Sequence, residues 1–319
     1  MRLDHPIFQS PNHVRIPLTE IDTPPDYAHY ATAALPERLT AWQVFEKPAA
    51  GEGAARQSLA NVGLVSDGFG FEDLPDSEWI ASGINSKGPQ ALALGRQGNY
   101  FLWGFAADPT LMTPSARDVF VNAICWMKQF DGQRPLVTKV ASPREWLFVE
   151  LWVASQKGDR APAVASDVSG VALDRAAAER YFGRETVEKH GKDYATLKAW
   201  LVGNLEAITS VAADDGGRRR HKVVDEDVVA LGVSNRRPEF FDRVLARWRE
   251  DPADELCTRV LARYVPDRRF ASPEDLEQWL AEHRGRLRFT DFGGYRWVVV
   301  PREAAKPASP TPAVGAGRG

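Results

Sequence analysis

The chain has 319 residues, 44% of them apolar and 10% aromatic, which is material for about two domains with real cores and excludes wholesale disorder. Lys and Arg number 40 against 43 Asp and Glu, a net charge of −3, so no global basic excess draws the chain to nucleic acid or to an anionic membrane surface. Two cysteines, Cys125 and Cys257, cannot build a disulfide framework and carry no zinc spacing. No apolar run approaches the roughly 20 residues that span a bilayer, and residues 1–11 carry no export signal, so the default expectation is a cytoplasmic protein.

Residues 1–55 read as an irregular leader. Pro24-Pro25 enforces extended backbone, and 39–47 is expected as a strand. An acidic, glycine-punctuated loop at 66–78 follows. The alternating apolar runs 90–96 and 99–105 flank Gln97-Gly98, a hairpin signal. Thr113 then offers an N-cap with Pro114 at the first helical position. Apolar residues at three- and four-residue spacing (Ala116, Val119, Phe120, Ala123, Ile124, Met127) predict a helix over 115–130 docked on a sheet.

Beyond residue 140 the pattern turns helical. The segment 146–155 is apolar all round and is expected to be buried, and 157–170 reads as a surface loop. Helices are expected at 176–182, 194–208, 238–250, 252–264 and 273–283, with a mobile turn at 214–222. Strands 287–290 and 295–300 bracket Phe292-Gly293-Gly294 as a second hairpin. Arg180-Tyr181-Phe182 followed by Leu197-Lys198-Ala199-Trp200-Leu201 echoes Arg263-Tyr264-Val265 followed by Leu276-Glu277-Gln278-Trp279-Leu280. Either a duplicated helical unit or the chance likeness of amphipathic helices accounts for that echo. The tail 302–319 lacks large apolar residues and is expected to be disordered.

The run from Ala91 to Phe105, with Leu111-Met112-Thr113, Asn122-Ala123-Ile124-Cys125-Trp126 and the early His5-Pro6-Ile7, resembles the later part of ThuA-like proteins of the class I glutamine-amidotransferase-like superfamily. The second half resembles the C-terminal region of bacterial proteins in which a ThuA-like domain precedes helices. The resemblance implies an α/β fold: a partial flavodoxin-like domain at 1–135, then a mainly helical domain at 140–301 ending in a hairpin. It begins at the family's middle, so the first βαβ units and the nucleophile elbow have no counterpart. A partner chain or an upstream segment is then expected to complete the sheet. The family often ends its last strand in Gly-His, whereas this chain has Gly104-Phe105, and phenylalanine cannot transfer a proton.

Cys125 and Cys257 sit on amphipathic helices, where a packed structural thiol is the expectation, and no GxSxG elbow exists. His5, His13 and His29, with Asp67, Glu72, Asp73 or Asp76, are candidates for an acid/base or metal site, set against capping and surface roles; no metal-ligand spacing is present. The stretch 82–89 places Asn85 and Lys87 in a glycine-flanked turn whose amides suit an anion. Arg218-Arg219-Arg220-His221-Lys222 suits phosphate but lacks interleaved aromatics, so a solvated loop is favoured. These residues predict a noncatalytic binding or assembly module, with a small-molecule or protein partner, no cofactor, no nucleic acid and no membrane. The alternative is a ThuA-like enzyme or carbohydrate-related protein with a pocket near His5, Asn85 and Lys87.

Overall fold

The computed structural model describes residues 1–23, 36–46, 66–68, 70–85, 88–155, 171–213 and 219–301, and the chain divides into two compact units, Met1–Leu136 and Val137–Gly319. The fold is mixed α/β with small antiparallel sheets. The tail 302–319, the loop 157–170 and most of the expected turn at 214–222 lie outside the described residues.

In the first unit β1 (Leu18–Asp22) pairs antiparallel with β2 (Arg38–Trp42), which covers only the front of the strand expected at 39–47. Phe45 instead bridges to Met112. The main sheet is built on β5 (Gly88–Gln97), with β4 (Ser77–Asn85) along one edge and β3 (Ser66–Asp67) and β6 (Tyr100–Trp103) along the other, all antiparallel. Gln97 pairs with Tyr100, and Gly98 turns between them at φ +53°, a conformation a side chain disfavours. Helix α1 (Pro114–Met127) starts where its cap predicts, with the Thr113 hydroxyl accepting the Ala116 amide. A single 3-10 turn, Lys128–Phe130, prolongs it. Ala116, Val119 and Ala123 of α1 are buried as expected, but Ile124 is 59% exposed. Asn122 takes the inward position instead: its amide donates to the carbonyls of Ile7 (2.9 Å) and Asn12 (2.7 Å), and its oxygen accepts the Asn12 amide (2.9 Å). A buried side chain with these bonds satisfied is tolerated in a core, and it rotates the helix so that Ile124 faces out.

In the second unit α2 (Leu147–Val153) is not buried all round. Leu147 and Leu151 are buried, whereas Trp146, Val149 and Val153 are exposed. Then follow α3 (Arg175–Phe182), α4 (Arg184–His190) and α5 (Tyr194–Gly203). The helix expected through 208 ends early, in a 3-10 turn Leu205–Ala207, and Ile208 opens β7 (Ile208–Ala212), paired with β8 (Arg220–Val224). This hairpin replaces the mobile turn wherever the turn is described. α6 (Glu226–Leu231), α7 (Glu239–Glu250), α8 (Glu255–Tyr264) and α9 (Pro273–His283) come next, then the 3-10 turn Arg284–Arg286 and the hairpin β9 (Leu287–Thr290) and β10 (Arg296–Val299).

The internal echo is a structural repeat. One spacing separates Tyr194 from Pro273, Leu205 from Arg284 and Ile208 from Leu287, the starts of helix, 3-10 turn and strand in each copy. Asp193 and Ser272, at that same spacing, cap the two helices. The first half of the echo sits in a shifted register: the spacing matches buried Ala178 and Phe182 of α3 to Cys257 and Leu261 of α8, so Arg180-Tyr181-Phe182 does not align with Arg263-Tyr264-Val265. Each copy has its own core, one around Leu147, Phe182, Leu197 and Leu201 and one around Phe240, Phe241, Val260 and Leu276. Tyr295 of the second hairpin belongs to the first core, and Ala207 to the second.

Candidate functional site

His5 caps the 3-10 turn Pro6–Phe8, its Nδ1 accepting the Ile7 amide at 3.3 Å. An accepting Nδ1 leaves the ring proton on Nε2, which lies 3.3 Å from Oε1 of Glu78. The ring meets Trp126 edge-on at 4.6 Å. Glu78 also binds Arg2 (3.2 Å) and Arg96 (3.3 Å), and Arg96 stacks over Phe130 at 3.9 Å. Burial alone would raise the Glu78 carboxyl, but the His5 ring and the Arg96 guanidinium outweigh it and hold it at about 2. His5-Pro6-Ile7 and Asn122 to Trp126, far apart in sequence, thus touch at two points, Ile7 with Asn122 and His5 with Trp126.

His5 is buried and closed in by these partners. Asn85 ends the strand on which Glu78 is second, seven positions away, or roughly 20 Å at strand rise. The side chain of Asn85 and all of Lys87 lie outside the described residues, as do His29 and the Asp67 side chain. His13, Glu72 and Asp73 are exposed. Asp76 is buried and accepts the Leu136 amide (2.8 Å) and the Gln97 side chain (3.2 Å). Among the described residues, no three His, Cys, Asp or Glu side chains gather closely enough to hold a metal ion. Phe105, where the resemblance expects histidine, packs edge-on against Trp103 (5.3 Å) and Phe45 (5.9 Å).

The cysteines divide. Cys257 is buried, its thiol pushed up to about 11 by burial. Cys125 is exposed, which corrects the packed thiol expected there. It shares the outward face of α1 with Val121 and Ile124.

The second unit holds two buried polar clusters. Arg144 grips Asp291 through Nε and Nη2, both at 2.9 Å, and donates to Asn235 (3.1 Å) and the Leu205 carbonyl (3.2 Å). Asn235 bonds the Tyr264 hydroxyl (3.1 Å), and Tyr264 donates to Asp225 (2.7 Å). In the second cluster Lys222 donates to Ser142 (2.8 Å) and Glu150 (2.5 Å). The basic run containing Lys222 is therefore not a solvated loop in its described part: Arg220, His221 and Lys222 lie in β8. A serine beside a lysine is a nucleophile and base only if the amine sheds its proton. Burial pushes Lys222 in that direction, below the ordinary lysine value, although the Glu150 carboxylate, which accepts its hydrogen bond, pulls against it.

A groove of about 970 Å³ opens among the described residues of this unit, bounded by α3, α4 and the β7–β8 hairpin. Gly183, at φ +78°, joins the two helices, and a Cβ there would stand 2.9 Å from the His221 ring, so only glycine lets the hairpin approach this closely. Trp200 lines the groove and stacks on His190, ring centres 4.0 Å apart and planes 10° from parallel. Its charged lining is balanced, with Glu179, Glu185, Glu188 and Glu226 against Arg180, Arg184, Lys189 and Arg219. Trp200 was legible in the sequence only as part of the echo between Leu197-Lys198-Ala199-Trp200-Leu201 and Leu276-Glu277-Gln278-Trp279-Leu280. No family model, curated protein or solved structure gives a significant match to the chain.

Proposed function

We propose that the chain is a noncatalytic binding or assembly module, in which a ThuA-like portion precedes a pair of helix–hairpin repeats. The observation that carries this reading is the employment of the reactive side chains. The His5 Nδ1 lone pair is engaged by the Ile7 amide, Cys257 is buried, and Lys222 is tied to Glu150. A general base needs a free lone pair within reach of its substrate, and none of these offers one. The sheet of the first unit is antiparallel among the described residues; on the ThuA-like reading it would be the terminal hairpin rather than the parallel centre of a doubly wound sheet.

The partner is a protein or small molecule rather than nucleic acid. In a helix–turn–helix layout the later helix faces DNA, and here the exposed positions of α9 include Glu274, Glu277 and Glu282, which repel phosphate. The test is a turnover screen of the full chain against glutamine, simple amides and disaccharides, with and without divalent metals. The expected result is no turnover. Turnover abolished by His5→Ala but retained in His221→Ala overturns the reading in favour of a ThuA-like enzyme whose chemistry lies near His5, Asn85 and Lys87.

A further inference from the structure

The two repeats treat one tryptophan differently. Trp200 and Trp279 occupy the same place in α5 and α9, and each carbonyl is bonded by the residue four positions on: Asn204 Nδ2 donates to Trp200 at 2.8 Å, and His283 Nδ1 meets Trp279 at 2.9 Å. Trp279 is covered. Phe270 lies 5.2 Å away, Phe241 5.8 Å, and His283 stacks on it at 5.4 Å, leaving 6% of the residue exposed. At Trp200 the stacking histidine is replaced by Asn204, and among the described residues His190 is its one ring contact. Trp200 is left on the wall of the groove.

We propose that this groove binds an extended peptide segment of another protein, which lays an aromatic side chain against Trp200 as Phe270 lies against Trp279. The inference rests on the binding-module reading and names its partner. Three observations select the occupant. The volume accommodates several residues of an extended chain, beyond a single ring. The balanced lining disfavours a polyanion and suits a peptide bearing both signs; Glu188, exposed and with no ion pair among the described residues, is placed for a cation beside the aromatic. That pairing copies the second repeat, where Arg268 stacks over Phe270 at 5.3 Å and binds Asp275. Residues beyond Pro301 contain no aromatic side chain, so the adjoining tail does not supply the ring.

The probe is a synthetic peptide with the sequence of residues 265–272, which carries Phe270 as its one aromatic together with Arg268 and Arg269, titrated into the full-length ¹⁵N-labelled protein. The Trp200 indole N–H signal is assigned from the Trp200→Phe spectrum. A saturable, submillimolar shift of that signal is expected. It should weaken about tenfold or more when the peptide's phenylalanine is alanine, and likewise in Val211→Glu, which places a charge on the exposed groove wall without touching the core. No shift, an equal shift with the alanine peptide, or stronger binding of a single-stranded oligonucleotide overturns the proposal. The turnover screen reads the binding-module interpretation separately: turnover would refute that interpretation with this titration unchanged, and a null titration leaves the screen's outcome as it was.

Discussion

Arg144 and Asp291 are joined through two parallel hydrogen bonds across 147 residues of chain, and Arg144 has no exposed surface. The carboxylate also accepts the Arg144 backbone amide at 2.9 Å. This pair ties the segment leading into α2 to the tip of the last hairpin, and through Asn235 and Leu205 it reaches both repeats.

Removing one member should cost more than removing both. Arg144→Met strips the partly buried Asp291 carboxylate of its partner and is expected to destabilise the second unit by about 3 kcal/mol. Arg144→Met with Asp291→Leu should lose less than the sum of the single changes. Urea unfolding of the four proteins measures this; strict additivity would mean that the bonds do not couple.

Glu78 predicts an acid-sensitive first unit. Its carboxyl, at about 2 in the fold against an ordinary 4.5, contributes stability that is complete above the unfolded value and is lost as pH falls through the folded one. With partial exposure discounted, the contribution is about 2 kcal/mol. Between pH 5 and 2 the wild type should destabilise more steeply than Glu78→Gln, followed at the Trp126 indole, which meets the same His5 edge-on.

Thiol labelling of the native protein should proceed in two phases. Cys125 reacts promptly because it is exposed, while Cys257 waits for unfolding because burial both shields it and suppresses the thiolate. Cys125→Ser should abolish the fast phase with a stability change within about 0.5 kcal/mol.

Gly183→Ala should be costly. A methyl group would combine a positive φ with a 2.9 Å approach to the His221 ring, a penalty of about 1–3 kcal/mol. Thermal unfolding reads it, and the groove beside Trp200 should distort at the same time.

The parts legible in the sequence were those specified locally. Thr113-Pro114, the Gln97-Gly98 turn and the final hairpin carry their caps and turns within a few residues, and each formed where expected. What escaped depends on partners remote in sequence. β8 looked like a polar loop because its lysine is buried only by virtue of Glu150, 72 residues away. Ile124 faces solvent because Asn122, a polar residue, holds the inward position through the leader 110 and 115 residues before it, and Cys125 lies beside Ile124 on the outward face. At the candidate site, His5 was visible but its closure by Glu78 and Trp126 was not, and the groove arises from a difference between two repeats that their sequences alone present as a likeness.

The exchange of Tyr295 and Ala207 between the two cores governs how the second unit comes apart. Repeats that merely abut melt in sequence and survive separation. Here a chain cut between Val224 and Asp225 deprives the first core of Tyr295 and the second of Ala207, so neither piece retains a finished interior. Amide protons in both hairpins should accordingly exchange through one shared opening event, and the two halves, although built to one plan, have become a single inheritable part.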